Sequence, residues 1–448
     1  MKPSPNLRSW HPLGSAGLFR KDPVAFFKKL EALDMPLVEF RLAILRCTYL
    51  NSASAIKYAM QTNLQNFSKG GIFYQTAQEI VGDGLVFLNG EVWKNRRMAL
   101  NPLFYKQSIE SYFEVMCQQA SALCQKWDTA AAQNQPVNAV EDIHYSAFSI
   151  GAQTLFGTGL YEQEIQTLIR EMDFMLVEVK RRTEQGISLP LFVPTPKNIR
   201  LKRSMRTFDS LVTELIARQS SENQQYTLIS LLQHIKDEAT GKPALSEKNI
   251  KDEIKVFFVA GTDTSTHSLA WTLYLLAKHP VVLRKLQQEI DTVVGAESLT
   301  LAHTEALEYT EQVLQEAMRL YPPAWLISRS VETDDQVEGF SIRKHTNVFI
   351  SPYMLHRHPN YWVNPDAFEP ERFAAEQKAS IPKDAYIPFG IGGRKCIGFR
   401  FAMLEMKTIL TLLVQRFEWQ IPLPDQVKAE FSSTLKPQNL QLLIQSRL

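Results

Sequence analysis

The chain has 448 residues, 45% of them hydrophobic and 21% charged, which describes a globular protein with a large core and excludes disordered and fibrous classes. Forty-nine basic residues against 47 acidic ones leave a net charge of +2, so nothing global points to nucleic acid and any charge argument must be local. Length alone allows about three domains, yet no linker-like stretch divides the chain, and one domain over residues 1–448 is expected.

In chain order, the opening MKPSPNLRSWHPLG lacks the apolar core of a signal peptide. No run of about 18 apolar residues follows it anywhere, so no transmembrane anchor and a cytoplasmic location are expected. Residues 22–33 read as a capped helix with Phe26, Phe27 and Leu30 on one side, and residues 36–50 as a strand pair. A mostly helical stretch runs from about 51 to 290, with loops expected at 69–88, 134–138, 184–197 and 238–246. The clearest break is SLPLFVPTPKN at 188–198, because each proline removes a donor and disfavours helix before it. A helix over 303–320 stops at Tyr321-Pro322-Pro323, and short strand signals follow in SVETDDQV and FSIRKHTNVFISP. Residues 356–388 are irregular and rich in proline and aromatics, and loops of that length are usually functional. An amphipathic helix over 398–416 precedes strand-like pieces near 417–422 and 438–446. The expected fold class is mainly α with a minor β portion.

There are four cysteines. Cys47, Cys117 and Cys124 read as small buried hydrophobes, and the set does not form a secreted-type disulfide framework. Cys396 differs. It lies in the run Phe389-Gly390-Ile391-Gly392-Gly393-Arg394-Lys395-Cys396-Ile397-Gly398, in which four glycines fall within nine residues. Such glycines permit positive φ and close backbone approach. The cysteine stands just before a helix, where amide N–H groups and the helix dipole favour a thiolate. A thiolate so held suits the axial position of a haem iron, and Arg394 suits a propionate. Phosphate binding is the competing reading of a Gly-rich loop, but neither Gly-Lys-Ser/Thr nor a strand–GxGxxG–helix arrangement is present.

This stretch resembles the haem-binding loop of the cytochromes P450, F-x-x-G-x-R-x-C-x-G, at every fixed position. The resemblance implies a P450-like fold with haem b between an oxygen-activation helix and the cysteine-loop helix. Cys396 is then the axial ligand, with Phe389, Arg394 and Gly398 around the cofactor. Ala260-Gly261-Thr262-Asp263-Thr264-Ser265 lies inside a helical run, where Gly261 costs about 1 kcal/mol against alanine and needs a reason. Asp263 and Thr264 form an acid–alcohol pair able to relay protons, the role the resemblance implies. The alternative is a Ser/Thr-rich helix that bonds back to its own carbonyls. Glu316 and Arg319 share a helix face; the resemblance assigns them to a buried structural network with Arg372 of Pro370-Glu371-Arg372-Phe373. Trp93 and Arg97, at i and i+4, and Arg329 are implied propionate partners. The role of His356 is left open.

Apolar segments around Phe87, Phe174, Ala260 and Trp325 suggest a hydrophobic substrate: a fatty acid, a carotenoid or another terpenoid. RLYPPAWLISRS and ISPYMLHRHP look similar to the soluble bacterial members that hydroxylate such compounds. The resemblance therefore implies a monooxygenase that inserts one atom of O2. Its electrons would come from a ferredoxin or flavodoxin with its reductase, since no flavin or iron–sulfur motif occurs in this chain. Lys94, Arg96, Lys395, Arg400 and Lys407 would give a basic face for that acidic partner, or are simply solvated charge. Rival readings are a haem-thiolate isomerase or dehydratase, a peroxide-driven hydroxylase, and a non-enzymatic haem sensor. The first typically loses the acid–alcohol pair, the second places Arg and Pro near it, and the third usually carries a signalling domain.

Overall fold

The computed structural model describes residues 5–7, 13–157, 160–185, 189–219, 227–235 and 244–447. Parts of the opening segment and of the 184–197 and 238–246 loops lie outside them. The architecture is mainly α with small β-sheets. The chain forms two compact units, each discontinuous in sequence: residues 1–75 with 318–396, and residues 76–317 with 397–448.

The first unit is built on a five-stranded sheet in the order Leu37–Leu42, Leu45–Leu50, Asn347–Ile350, Ile327–Val331, Phe67–Ser68. The expected strand pair is its edge, in antiparallel register with Leu37 opposite Leu50 and Phe40 opposite Cys47. Leu45–Leu50 and Asn347–Ile350 pair in parallel. Leu37, Leu50, Ile56, Phe67, Val331, Val348 and Ile387 cluster in its core. The helix Pro23–Glu31 starts where the sequence predicts, because Asp22 accepts from the Ala25 N–H at 2.9 Å and Pro23 needs no partner for a missing donor. Its buried Phe26 meets Phe40, and Phe27 meets Tyr49, with ring centroids 5.1 and 4.9 Å apart.

The second unit is organised by one helix of 32 residues, Glu247–Lys278, about 48 Å long. Ser246 starts it with a capping box to Asn249, which satisfies otherwise orphaned N–H groups. Most of this helix is buried, as for a helix that crosses the middle of a large core. It packs against Ala139–Phe156, where Phe148 stacks on Phe258 at 4.4 Å. At its far end the Trp271 indole donates to the Leu435 carbonyl at 3.1 Å. The strands Pro136–Asn138, Gln441–Ser446 and Phe417–Gln420 form a small antiparallel sheet.

Two expectations change. Residues 69–88, read as a loop, contain the helix Ile72–Val81, in which Tyr74, Ala77, Ile80 and Val81 are buried; packing overrides its β-branched and aromatic composition. The helix over 303–320 is two, Leu301–Ala306 and Glu308–Leu320, parted at Leu307. The tail also carries a hairpin, Lys428–Phe431 with Leu435–Gln438, whose strands are too short for a visible period.

Candidate active site

The cysteine loop belongs to the first unit. Gly390 and Gly392 have φ of +70° and +67°, and a Cβ on Gly392 would lie 2.5 Å from the Met60 carbonyl oxygen. Here glycine is demanded twice, by backbone sign and by close approach. The Cys396 N–H donates to the Phe389 carbonyl at 2.8 Å, closing the loop over the 3-10 turn Gly392–Arg394. Cys396 is the one exposed cysteine of the four. Burial pushes the Cys47 and Cys124 thiols up to about 12 and the thiol of Cys117, half-buried rather than buried as expected, to about 11, which disfavours the thiolate at all three. The helix Phe399–Arg416 begins three residues after Cys396, with Gly398 at its N-cap.

The loop is anchored from behind. Arg319 is fully buried and donates to the carbonyls of His356, Pro365 and Ala367 at 2.8, 2.6 and 2.8 Å. The His356 ring accepts the Ile387 N–H at Nε2, 2.8 Å away. His356, whose role the sequence leaves open, thus ties the Arg319 helix end to the strand of chain that enters the cysteine loop. Burial, then the Arg319 and Arg357 charges, hold its imidazole neutral with a pKa of about 3.

Arg329 is 3% exposed on Ile327–Val331. Its Nη1 donates to the Tyr74 hydroxyl at 3.1 Å and the Ser328 carbonyl at 2.8 Å, while its buried Nε has no acceptor. A buried guanidinium with an orphaned donor costs free energy until an anion meets it. That donor set fits a propionate carboxylate.

In the second unit, Ala260 and Gly261 are exposed and Thr264 is half-exposed on a helix otherwise largely buried. A Cβ on Gly261 would meet nothing within 4 Å, so internal packing does not require glycine there; an open, flat helix face fits a planar cofactor and its ligand. The Thr264 hydroxyl donates to the Ala260 carbonyl at 2.9 Å, and Thr262 to Phe258 at 2.7 Å. Both make the back-bond expected of the simpler reading, and only Thr264 also reaches the exposed face.

Residues 3–444 match the family model described as Cytochrome P450. The chain belongs to the cytochrome P450 family. It is similar to pentalenene oxygenase of Streptomyces avermitilis, at 27% identity over 97% of this chain and 95% of that one. It also resembles cyclooctat-9-en-7-ol 5-monooxygenase of Streptomyces melanosporofaciens, at 29% identity over 92% and 88%. Human cytochrome P450 4V2 is 29% identical over 93% of this chain and 84% of its own. The protein is therefore an oxidoreductase, a P450 monooxygenase of the haem-thiolate class, which uses O2, an organic substrate and electrons from a redox partner. Among the described residues no helix is long and apolar enough to cross a membrane.

The remaining residues named from the P450 resemblance fall as follows. Trp93 and Arg97 are half-buried on Gly90–Leu100. Phe389 and Arg394 are half-buried in the loop. Glu316 is fully buried on Glu308–Leu320, the helix that also carries Arg319. Arg372 donates to the Asn364 carbonyl at 2.9 Å and pairs with Glu369 at 2.6 Å. Phe87 and Trp325 are buried, and the Phe174 ring lies 4.7 Å from the Arg200 guanidinium.

The expected basic face needs correction. Arg96 is buried and its Nη1 lies 2.5 Å from the Glu253 carboxylate, which also accepts the Leu85 N–H. Lys407 is buried too, 3.4 Å from Glu311. Both are internal counter-ions, unavailable to a partner. Lys94, Lys395 and Arg400 are exposed.

Two titratable groups that the sequence does not single out are His144 and Glu405. Asp263 is buried beside His144, whose Nε2 lies 3.3 Å from its Oδ1. Burial works against its ionised form, yet the interaction with His144 above all, with the Lys436 charge, holds its carboxyl below the usual range. Glu405, on Phe399–Arg416, is 1% exposed. Burial pushes its carboxyl up to about 8, and interaction with the Ser265 hydroxyl offsets only part of this. The available signal was a glutamate one turn before the buried Ile409, on the apolar face.

Glu405 gives a stability prediction. At neutral pH it is protonated in the native chain and ionised in the unfolded one, so unfolding releases a proton and stability falls as pH rises from 4.5 toward about 8. A shift of that size costs on the order of 3 kcal/mol at neutral pH. Glu405→Gln keeps the shape and removes the ionisation. Its melting temperature is expected to exceed that of the wild type at about pH 8 and to converge with it near pH 5. Parallel melting curves across that range would contradict the assignment.

Proposed function

We propose that this P450 hydroxylates a hydrophobic terpenoid, with Cys396 as the axial thiolate of haem b. The observation that carries the reading is Cys396 itself, an exposed cysteine on a glycine-shaped loop at a helix start. Backbone amides and the helix dipole there favour the thiolate. Arg329, Arg394, Trp93 and Arg97 are the residues to hold propionates, and the unsatisfied Nε of Arg329 supports its place in that set. Phe389 and Gly398 frame the thiolate by their backbone. When bound, the haem supplies the activation of O2 and the transfer of one oxygen atom to substrate.

The protein's own part is binding, orientation and proton supply. Thr264 presents its hydroxyl at the exposed helix face, with Asp263 next in chain as the buried acid. Such a pair can hold and pass protons through water. Glu316, Arg319 and Arg372 are structural. Phe87, Phe174, Ala260 and Trp325 are the proposed pocket residues, and apolar or aromatic lining with few polar groups favours a hydrocarbon-rich ligand. Relatives named for pentalenene and for cyclooctat-9-en-7-ol favour a terpenoid over a fatty acid. Electrons come from a ferredoxin or flavodoxin with its reductase; exposed Lys94, Lys395 and Arg400 support an acidic donor.

The substrate class is tested by titrating the ferric holoenzyme with terpenes, carotenoids and fatty acids and recording the low-to-high spin shift. A terpenoid is expected to give the largest shift. Shifts with fatty acids alone would overturn the terpenoid assignment, and none with any apolar compound would overturn the hydrophobic pocket.

A further inference from the structure

The Asp263 carboxyl is largely buried, and an acid in its place draws on neighbouring groups to be resupplied with protons. The structure offers one set of groups for this. His144 lies near the start of Ala139–Phe156 with Nε2 3.3 Å from Asp263 Oδ1. Asp173, on Glu162–Gln185, completes the group: ligand atoms of His144, Asp173 and Asp263 all lie within 4.8 Å of one another. Asp173 is the exposed member of the three, while the His144 and Asp263 side chains are each only 13% exposed. The contact between His144 and Asp263 is at ion-pair distance, but its N–H is poorly aligned for a hydrogen bond.

We propose that His144 is the proton entry to Asp263, fed from solvent at Asp173. The idea rests on the reading of Asp263 and Thr264 as the acid–alcohol pair. Each hop moves one proton and no electrons. The Nε2 proton of the His144 imidazolium passes to the Asp263 carboxylate, leaving neutral imidazole and a carboxylic acid. A proton from water at Asp173 then restores the imidazolium. Separations under 4.8 Å are within reach of direct transfer or one bridging water.

The surrounding charges suit this. Burial lowers the His144 pKa, but the Asp263 and Asp173 carboxylates outweigh it and raise the pKa above the ordinary histidine value, with Lys436 opposing. An imidazole flanked by two carboxylates is suited to pass protons. His267, one helical turn beyond Asp263, is held neutral by burial with a pKa of about 4, so it does not compete for the proton. Lys436 is itself 3.4 Å from Glu430, which also pairs with Lys180 at 3.1 Å. A contact that merely joined helices would not need a solvent-exposed carboxylate as the third member of the group.

The test uses the full-length holoenzyme. In the diamagnetic ferrous carbonyl form, the His144 pKa is measured by histidine-labelled NMR in the wild type and in Asp263→Asn. It is expected above the ordinary value in the first and below it in the second. His144→Gln is expected to lower kcat about tenfold or more with an unchanged spin-shift Kd. The high-pH fall in kcat that marks deprotonation of His144 in the wild type should also disappear. If the two NMR values coincide, or if His144→Gln keeps the wild-type kcat and pH profile, the proposal is wrong. Failure of the inference alone leaves Asp263→Asn and Thr264→Ala uncoupled; failure of the acid–alcohol reading leaves those two variants coupled as well.

Discussion

Cys396→Ala is expected to abolish product formation while leaving the chain folded. The side chain is exposed, and the loop that carries it is set by other parts: positive φ at Gly390 and Gly392, and the bond from the Cys396 N–H to the Phe389 carbonyl. Alanine keeps that N–H and removes no buried volume, so the thermal stability of the haem-free protein should change by less than about 0.5 kcal/mol, as for a surface substitution. What is lost is the only exposed thiol of the chain, and with it the electron donation that promotes O–O cleavage. Calorimetry of the haem-free form and a product assay of the loaded one separate the two effects. A variant that still forms product at the wild-type rate would remove Cys396 from the mechanism.

Thr264→Ala is expected to divert reducing equivalents from product to hydrogen peroxide, lowering the yield of product per electron pair by about a hundredfold. The hydroxyl is anchored to the Ala260 carbonyl at 2.9 Å and reaches the exposed face of the helix. Its loss should barely alter stability, because a back-bond of this kind adds little to a helix. Thr262→Val is the matched control. That hydroxyl makes the same bond, to Phe258, but is buried, so its loss should lower stability and leave coupling intact. Equal coupling in wild type and Thr264→Ala would remove the proton-supply role.

The parts of this site that the sequence discloses are those encoded locally. The cysteine loop is contiguous, and its glycines, its cysteine and the following helix can be read within ten residues. The Asp22 cap and the strand pair at 36–50 are likewise short-range. The burial of Arg96 and Lys407 is not legible in the sequence because it depends on Glu253 and Glu311, partners on distant helices. A charged residue on an amphipathic helix gives no local sign that a buried carboxylate awaits it. The same holds for His144, whose significance appears only when Ala139–Phe156 is laid against the central helix. Glu405 broke an apolar pattern and could have been flagged, though nothing in the pattern says whether such a glutamate is paired or protonated.

The most direct test of the account is the spectrum of the dithionite-reduced full-length protein under carbon monoxide. Thiolate ligation by Cys396 predicts the strongly red-shifted Soret band in the wild type and its absence in Cys396→Ala. A carbonyl band at the position usual for histidine-ligated haem in the wild type, or a red-shifted band that survives in Cys396→Ala, would contradict it.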